Sequence, residues 1–218
     1  MNQGEIQIIP TSGGGTVFEV DNYLSVCSKK YVEEAVDKLL PQGGFDSPGR
    51  NSYFFNEHEV ELWVDSETAY ERGIAQHGSP FQEIKPEIKN YVEPRINGCF
   101  TLMEEEFESR GADVEFIDDY ANVEVDRGPD RVFLTIDRKT RITKDDEIRT
   151  WENVEVEVVS PFYDLVKVVQ EISSQQAEYC NFSCAGFPVF YPRFTCREYS
   201  GSANLIDFYG INDTKSGK

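Results

Sequence analysis

The sequence predicts an α+β protein: N-terminal helices, then an antiparallel strand meander packed on a closing helix, with a disulfide-stapled C-terminal loop. Three observations carry this. Apolar residues recur at helical spacing before residue 110 and again from 162 to 172. Between 112 and 159 the repeat shortens to two. Three of the five cysteines then fall inside "YCNFSCAGFPVFYPRFTC", residues 179–196, where no periodicity remains.

Residues 1–19 read as a Gly-rich linker, and "SGGGT" at 12–16 lacks the lysine that a phosphate-binding loop needs. Asp21 is placed to cap a first helix whose apolar face is Leu24, Cys27, Tyr31, Ala35 and Leu39. Pro41 and the Gly43–Gly44 pair stop it. "SYFFNEHEVELWV" reads as a hairpin, with strands near 52–55 and 59–64 and a turn at Asn56–Glu57. Ser79–Pro80 starts a second helix carrying Ile84, Ile88 and Tyr91 on one side. Pro94 is expected to break or kink it, with a further helix from about Asn97, bearing Cys99, Met103 and Phe107, until Gly111. "ADVEFID", "ANVEVD", "RVFLTIDRKTRIT" and "WENVEVEVV" alternate apolar and polar residues, so one sheet face meets water. Ser160–Pro161 opens a third main helix, about 161–178, with Phe162, Leu165, Val166, Val169 and Ile172 inward. The expected organisation is a linker over 1–19, a core domain over 20–178, and a cysteine-rich loop and frayed tail over 179–218, packed on the core.

The charge balance excludes some functions. With 21 Lys and Arg against 40 Asp and Glu, the net charge is −19. Nucleic acid and anionic lipid are both repelled. The same excess suits a protein working in strong salt, where screening removes the self-repulsion; an ordinary acidic surface is the alternative. No apolar run is long enough to span a bilayer, and "MNQGEIQIIP" has no signal-peptide pattern.

Catalytic motifs are missing. Neither His58 nor His77 has a local partner for general-base work, and no GxSxG, HExxH, GxxxxGK[ST] or GxGxxG occurs. The acidic runs "MEEEFE", "IDDY" and "KDDE" are contiguous, so they read as solvated faces and not as calcium loops. No enzyme activity and no cofactor are therefore expected.

The spacing Cys180-x3-Cys184-x11-Cys196 lacks the close pairs of a structural zinc site, and no CxxC is present. Disulfides fit better. The preferred bridges are Cys184–Cys196 across the loop and Cys27–Cys99 between the first two helices, the second pair being equally readable as two free core cysteines. Cys180 is the odd thiol or a partner for a helical cysteine. Two sequons, at Asn181 ("NFS") and Asn212 ("NDT"), stand beside these cysteines as glycosylation candidates. Together they point to an oxidising, extracytoplasmic compartment.

Several segments also resemble a known family. "YLSVCSKKYVEEAVDKLLPQGGF" is similar to a helix and "QGG" turn of archaeal membrane-anchored cell-surface proteins, and "SYFFNEHEVELWV" to the aromatic strand that follows it. "FQEIKPEIKNYVEPRINGCF" resembles that family's second helix, ending at a cysteine. The strand segments and "SPFYDLVKVVQEI" resemble its meander and closing helix. The likeness runs in order over about 20–178. It implies an N-terminal hydrophobic anchor, similar to a type IV pilin leader, that this sequence lacks, and it carries over no catalytic residues. The expected role is a pilin-like, structural or interacting ectodomain, extracellular at the cell surface. Its partners are other proteins or copies of itself, and membrane contact comes only through the missing anchor. The rival is an extracellular carbohydrate-binding module or hydrolase built on the aromatic segments 52–63 and 187–194.

The halophilic reading makes a measurable prediction. Molar NaCl or KCl raises the melting temperature, because screening relieves repulsion among the surplus carboxylates. A melting temperature that stays level or falls between dilute buffer and molar salt overturns it.

Overall fold

The computed structural model describes residues 20–49, 52–65, 74–75, 79–179, 182–200 and 207–217. Helix α1 spans Val20–Leu39 and buries Val20, Leu24, Ser28, Val32, Ala35, Val36 and Leu39. Its buried stripe is therefore centred a little to one side of the expected one, and Cys27 and Tyr31 flank it, half-buried against the core. Asp21 lies inside the first turn, where its charge complements the exposed N–H groups. After α1 a tight turn through Pro41 leads into Gly43 (φ 76°) and Gly44 (φ 100°). Both glycines have left-handed backbones, and a Cβ on Gly44 would sit 2.5 Å from Ile84 Cδ1. That close approach brings the chain directly over the second helix.

Strands β1 (Ser52–Phe55) and β2 (His58–Glu61) pair as an antiparallel hairpin. Asn56 and Glu57 both take positive φ, as a two-residue turn of matching twist requires. Two short strands, β3 (Val64–Asp65) and β4 (Ile74–Ala75), pair next.

Helix α2 is one continuous 30-residue helix, Pro80–Ser109, with both Pro86 and Pro94 inside it. The break expected at Pro94 does not occur, and the reason is position. Pro86 and Pro94 lie on the exposed stripe, as do Gln82 and Asn90, the residues whose carbonyls lose a donor. Water can replace those bonds, while the buried stripe from Phe81 through Ile88, Val92, Ile96 and Met103 to Phe107 runs on unbroken. Close to Pro94, Arg95 Nη1 donates to the Tyr91 carbonyl (2.6 Å) and Asn97 Nδ2 to that of Glu93 (3.0 Å). Cys99, wholly buried on α2, is bonded to Cys27 of α1 with a Cα–Cα distance of 6.2 Å.

Four strands build the main sheet: β5 (Asp113–Phe116), β6 (Asn122–Gly128), β7 (Arg131–Lys144) and β8 (Glu147–Val159). β6, β7 and β8 follow one another as a meander. β5 pairs with the far half of β7, beyond the end of β6, so the two share one edge of β7 while β8 lies along the other. The "KDDE" run is the β7–β8 turn, where Asp145 (φ 50°) and Asp146 (φ 68°) both tolerate the left-handed region. A bulge at Arg138–Lys139 matches the gap between β5 and β6. Arg138 holds that gap through the carbonyls of Asp118 (3.2 Å) and Asp119 (3.0 Å).

One sheet face buries Val114, Val123, Val125, Val132, Leu134, Ile136, Ile142, Val154, Val156 and Val158 against the helices. The other presents Glu124, Asp126, Asp137, Glu155 and Glu157 to water. Side chains of α2 also finish the start of β6: Val123 N–H donates to Glu93 Oε1 (3.1 Å) and Ala121 N–H to Asn97 Oδ1 (2.8 Å).

Helix α3 spans Phe162–Tyr179. Ser160 caps it, its hydroxyl accepting from the Phe162 N–H at 3.3 Å. Val168 is fully buried where the periodicity favoured Val169, because α3 is covered on two sides. Phe162 and Val166 enter the main core, whereas Leu165, Val168 and Ile172 belong to a second one.

The proline positions give a test. Pro94→Ala restores a helical hydrogen bond on the exposed face and stabilises the protein by about 1–3 kcal/mol in denaturant unfolding. Ile96→Ala, two residues on but wholly buried, costs about 2–5 kcal/mol. A destabilising Pro94→Ala shows that the helix needs the proline.

Candidate interaction surface

The segment after α3 folds as a unit of its own. Residues expected to be a loop and a frayed tail form a hairpin, β9 (Phe194–Ser200) with β10 (Asp207–Asp213), preceded by a single helical turn, α4 (Phe187–Phe190). Cys184 and Cys196 are bonded, with their Cα atoms 5.3 Å apart. Phe182, Phe187 and Phe194 join Leu165, Val168 and Ile172 of α3 in the second core, with Cys184, Tyr191, Cys196, Tyr209 and Ile211 packed around them.

Arg193 ties this unit to the rest. Its Nε donates to Asp213 Oδ1 (2.6 Å) and its Nη2 to Asp213 Oδ2 (3.0 Å), a two-pronged pair. Nη1 reaches Asp164 in the first turn of α3 (3.0 Å) and also Asp130 in the β6–β7 turn. Asp213 is completely buried and also accepts from the Ser216 hydroxyl at 2.6 Å. The Arg193 guanidinium therefore holds the Asp213 carboxyl well below the usual carboxylate range, helped by Ser216 and the Lys215 N–H and opposed by burial. Asp130 is lowered by the same arginine. The tail is thereby pinned: Thr214 N–H and hydroxyl both donate to the Arg193 carbonyl, at 3.0 and 2.7 Å.

Aromatic rings fasten the other side. Phe55 of β1 stacks on Phe208 of β10, with centroids 4.2 Å apart, and also meets Tyr199, while Tyr53 packs on Phe208. Trp63 is engaged by Phe45 and donates to the Gly43 carbonyl at 3.0 Å. Gln176 Nε2 donates to the Tyr209 hydroxyl, and burial pushes that phenol up to about 12.

One part of the unit remains uncovered. Phe187 is buried between Phe182 and a stacked Tyr191. The next apolar side chains, Val189 and Phe190, are each 79% exposed. Ala185, Gly186, Pro188 and Pro192 around them are exposed too. The stapled loop thus displays an apolar tip on a fixed base.

Among the expected site residues, His58 is exposed on β2 opposite Phe55, and Asn212 is exposed on β10 opposite Thr195. His77, Cys180, Asn181, the 1–19 segment and its "SGGGT" lie outside the described residues. The sequence reading missed Arg193 and its three carboxylates; only the lone charge between Pro192 and Phe194 hinted at them. Disulfides mark an oxidising, extracellular or secreted setting. Among the described residues no helix is long and apolar enough to cross a membrane. No family model, no curated protein and no solved structure matches the chain.

The ion cluster predicts an acid dependence. The Asp213 pKa is depressed in the folded state, so its contribution is fully present above the unfolded value of about 3.9 and is lost as pH falls through the lower folded value. Wild-type stability therefore drops below about pH 4. Arg193→Met leaves Asp213 buried without its cation and costs about 3 kcal/mol at pH 7, the low end because the Arg193 side chain is 25% exposed. In that variant burial raises the Asp213 pKa, so acid now helps. Melting temperatures from pH 3 to 7 for both proteins check this; parallel pH profiles refute it.

Proposed function

We propose that the chain is the extracytoplasmic ectodomain of a membrane-anchored cell-surface protein with a structural or interacting role, in the manner of a pilin subunit. The observation that carries the reading is the C-terminal unit. A disulfide, a partly buried arginine–carboxylate cluster and a ring stack all fix it, and it displays Val189 and Phe190 to solvent. Rigid presentation lowers the ordering cost of a contact, as suits a docking element. The net charge of −19 points away from nucleic acid, which leaves proteins as the partner class. In the segments 52–63 and 187–194, Tyr53, Phe55, Trp63, Phe187 and Tyr191 are turned onto other rings, which favours contact over sugar stacking.

Thiol mapping tests the compartment. Protein isolated from its own cells without reductant, alkylated and digested, yields a Cys27–Cys99 and a Cys184–Cys196 linked peptide. By loop length, the first bond, closing 72 residues, contributes about 4 kcal/mol and the second, closing 12, about 3 kcal/mol. Reduction therefore lowers the melting temperature sharply. Four freely alkylated thiols in the native protein refute the extracytoplasmic reading.

A further inference from the structure

We propose that Val189 and Phe190 form a membrane-contact peg, which enters the interfacial layer of an electrically neutral bilayer to which the domain is tethered. The proposal rests on the membrane-anchored reading above and adds to it a second, non-covalent contact with the lipid.

Lys and Arg number 21 and Asp and Glu 40 in the chain, yet from Tyr179 to Pro192 no residue is charged. Burying this tip in lipid leaves no ion stranded. The acidic body excludes an anionic surface at low salt but not a neutral one, so the charge pattern selects zwitterionic lipid.

A large aromatic side chain offers about 150–250 Å² and a valine less. Even allowing for the exposed prolines, the tip falls well short of the about 800 Å² each partner gives to a stable protein interface. Two tips meeting face to face would also bring together two bodies of charge −19. A second copy is therefore a poor occupant.

The tip is a single helical turn closed by the Cys184–Cys196 bond and seated on buried Phe187, so it keeps its form on insertion. Half-buried Tyr191 follows the tip directly in sequence, with the mixed character that favours the headgroup layer. Two side chains give only weak binding from solution. A tether raises the local concentration enough for the same contact to be occupied.

The full chain carrying Phe190→Trp is tethered, by a histidine tag at each end in turn, to phosphatidylcholine vesicles bearing a few per cent of nickel-chelating lipid. Phe190 is exposed, so the variant keeps the wild-type melting temperature. The expected result is a blue shift of the added tryptophan of about 10 nm or more, with several-fold weaker quenching by acrylamide. Wild-type protein, carrying only Trp63 and Trp151, is subtracted as background. Val189→Ser in the same chain reduces the shift, and replacing a third of the lipid with phosphatidylglycerol at low salt reduces it too. A tryptophan that stays solvent-like at both tether positions overturns the peg. So does a shift seen only on the anionic vesicles, or one seen without vesicles alongside dimers in sedimentation, which hands the tip to a second copy. Because the tag imposes the tether, these failures leave the thiol map untouched, and that map alone tests the extracytoplasmic reading.

Discussion

Every strand of the large sheet is hydrogen-bonded to β7. Its 14 residues pair with β8 along one edge and with β6 and β5 in succession along the other. A sheet this narrow cannot hide both faces, so it gives one to water and asks two helices to cover the other. The prolines of α2 are tolerated only because they fall on the side of the helix that the sheet does not use. The Cys27–Cys99 bond joins the two covering helices to each other, so the layer over the sheet behaves as one piece.

Helix α3 extends that arrangement. It is amphipathic twice over: Phe162 and Val166 close the sheet's core, and Leu165, Val168 and Ile172 start a second core. The C-terminal hairpin therefore rests on the second apolar face of the helix that closes the first core. Arg193 then reaches across both, touching the β6–β7 turn, the start of α3 and the end of β10 at a single guanidinium. Buried charge of this kind contributes geometry more than net stability, because its desolvation offsets much of the attraction.

The sequence made the regular parts legible. The helical spacing of Leu24 to Leu39, the strict alternation of "NVEVEVV" and the Ser160–Pro161 cap each act through local backbone preference, so a reader of one segment sees them. Local rules failed where a distant neighbour decides. Pro94 reads as a break until the exposed stripe of α2 is known. "NDTKSGK" reads as a frayed tail because nothing local shows that Asp213 is buried, which happens only when its arginine, 20 residues earlier, is folded against it. The apolar tip was visible as composition, but its exposure depends on Phe187 taking the one inward position.

The hydroxyl of Thr214 has a consequence for timing. In the sequon Asn212–Asp213–Thr214 the asparagine is exposed, yet the aspartate is sealed under Arg193 and the threonine hydroxyl is committed to the Arg193 carbonyl. A transferase needs all three presented in an open strand, which the finished hairpin does not offer. Any sugar found on Asn212 was therefore added before the last two strands met, so occupancy at that site competes with closure of the hairpin.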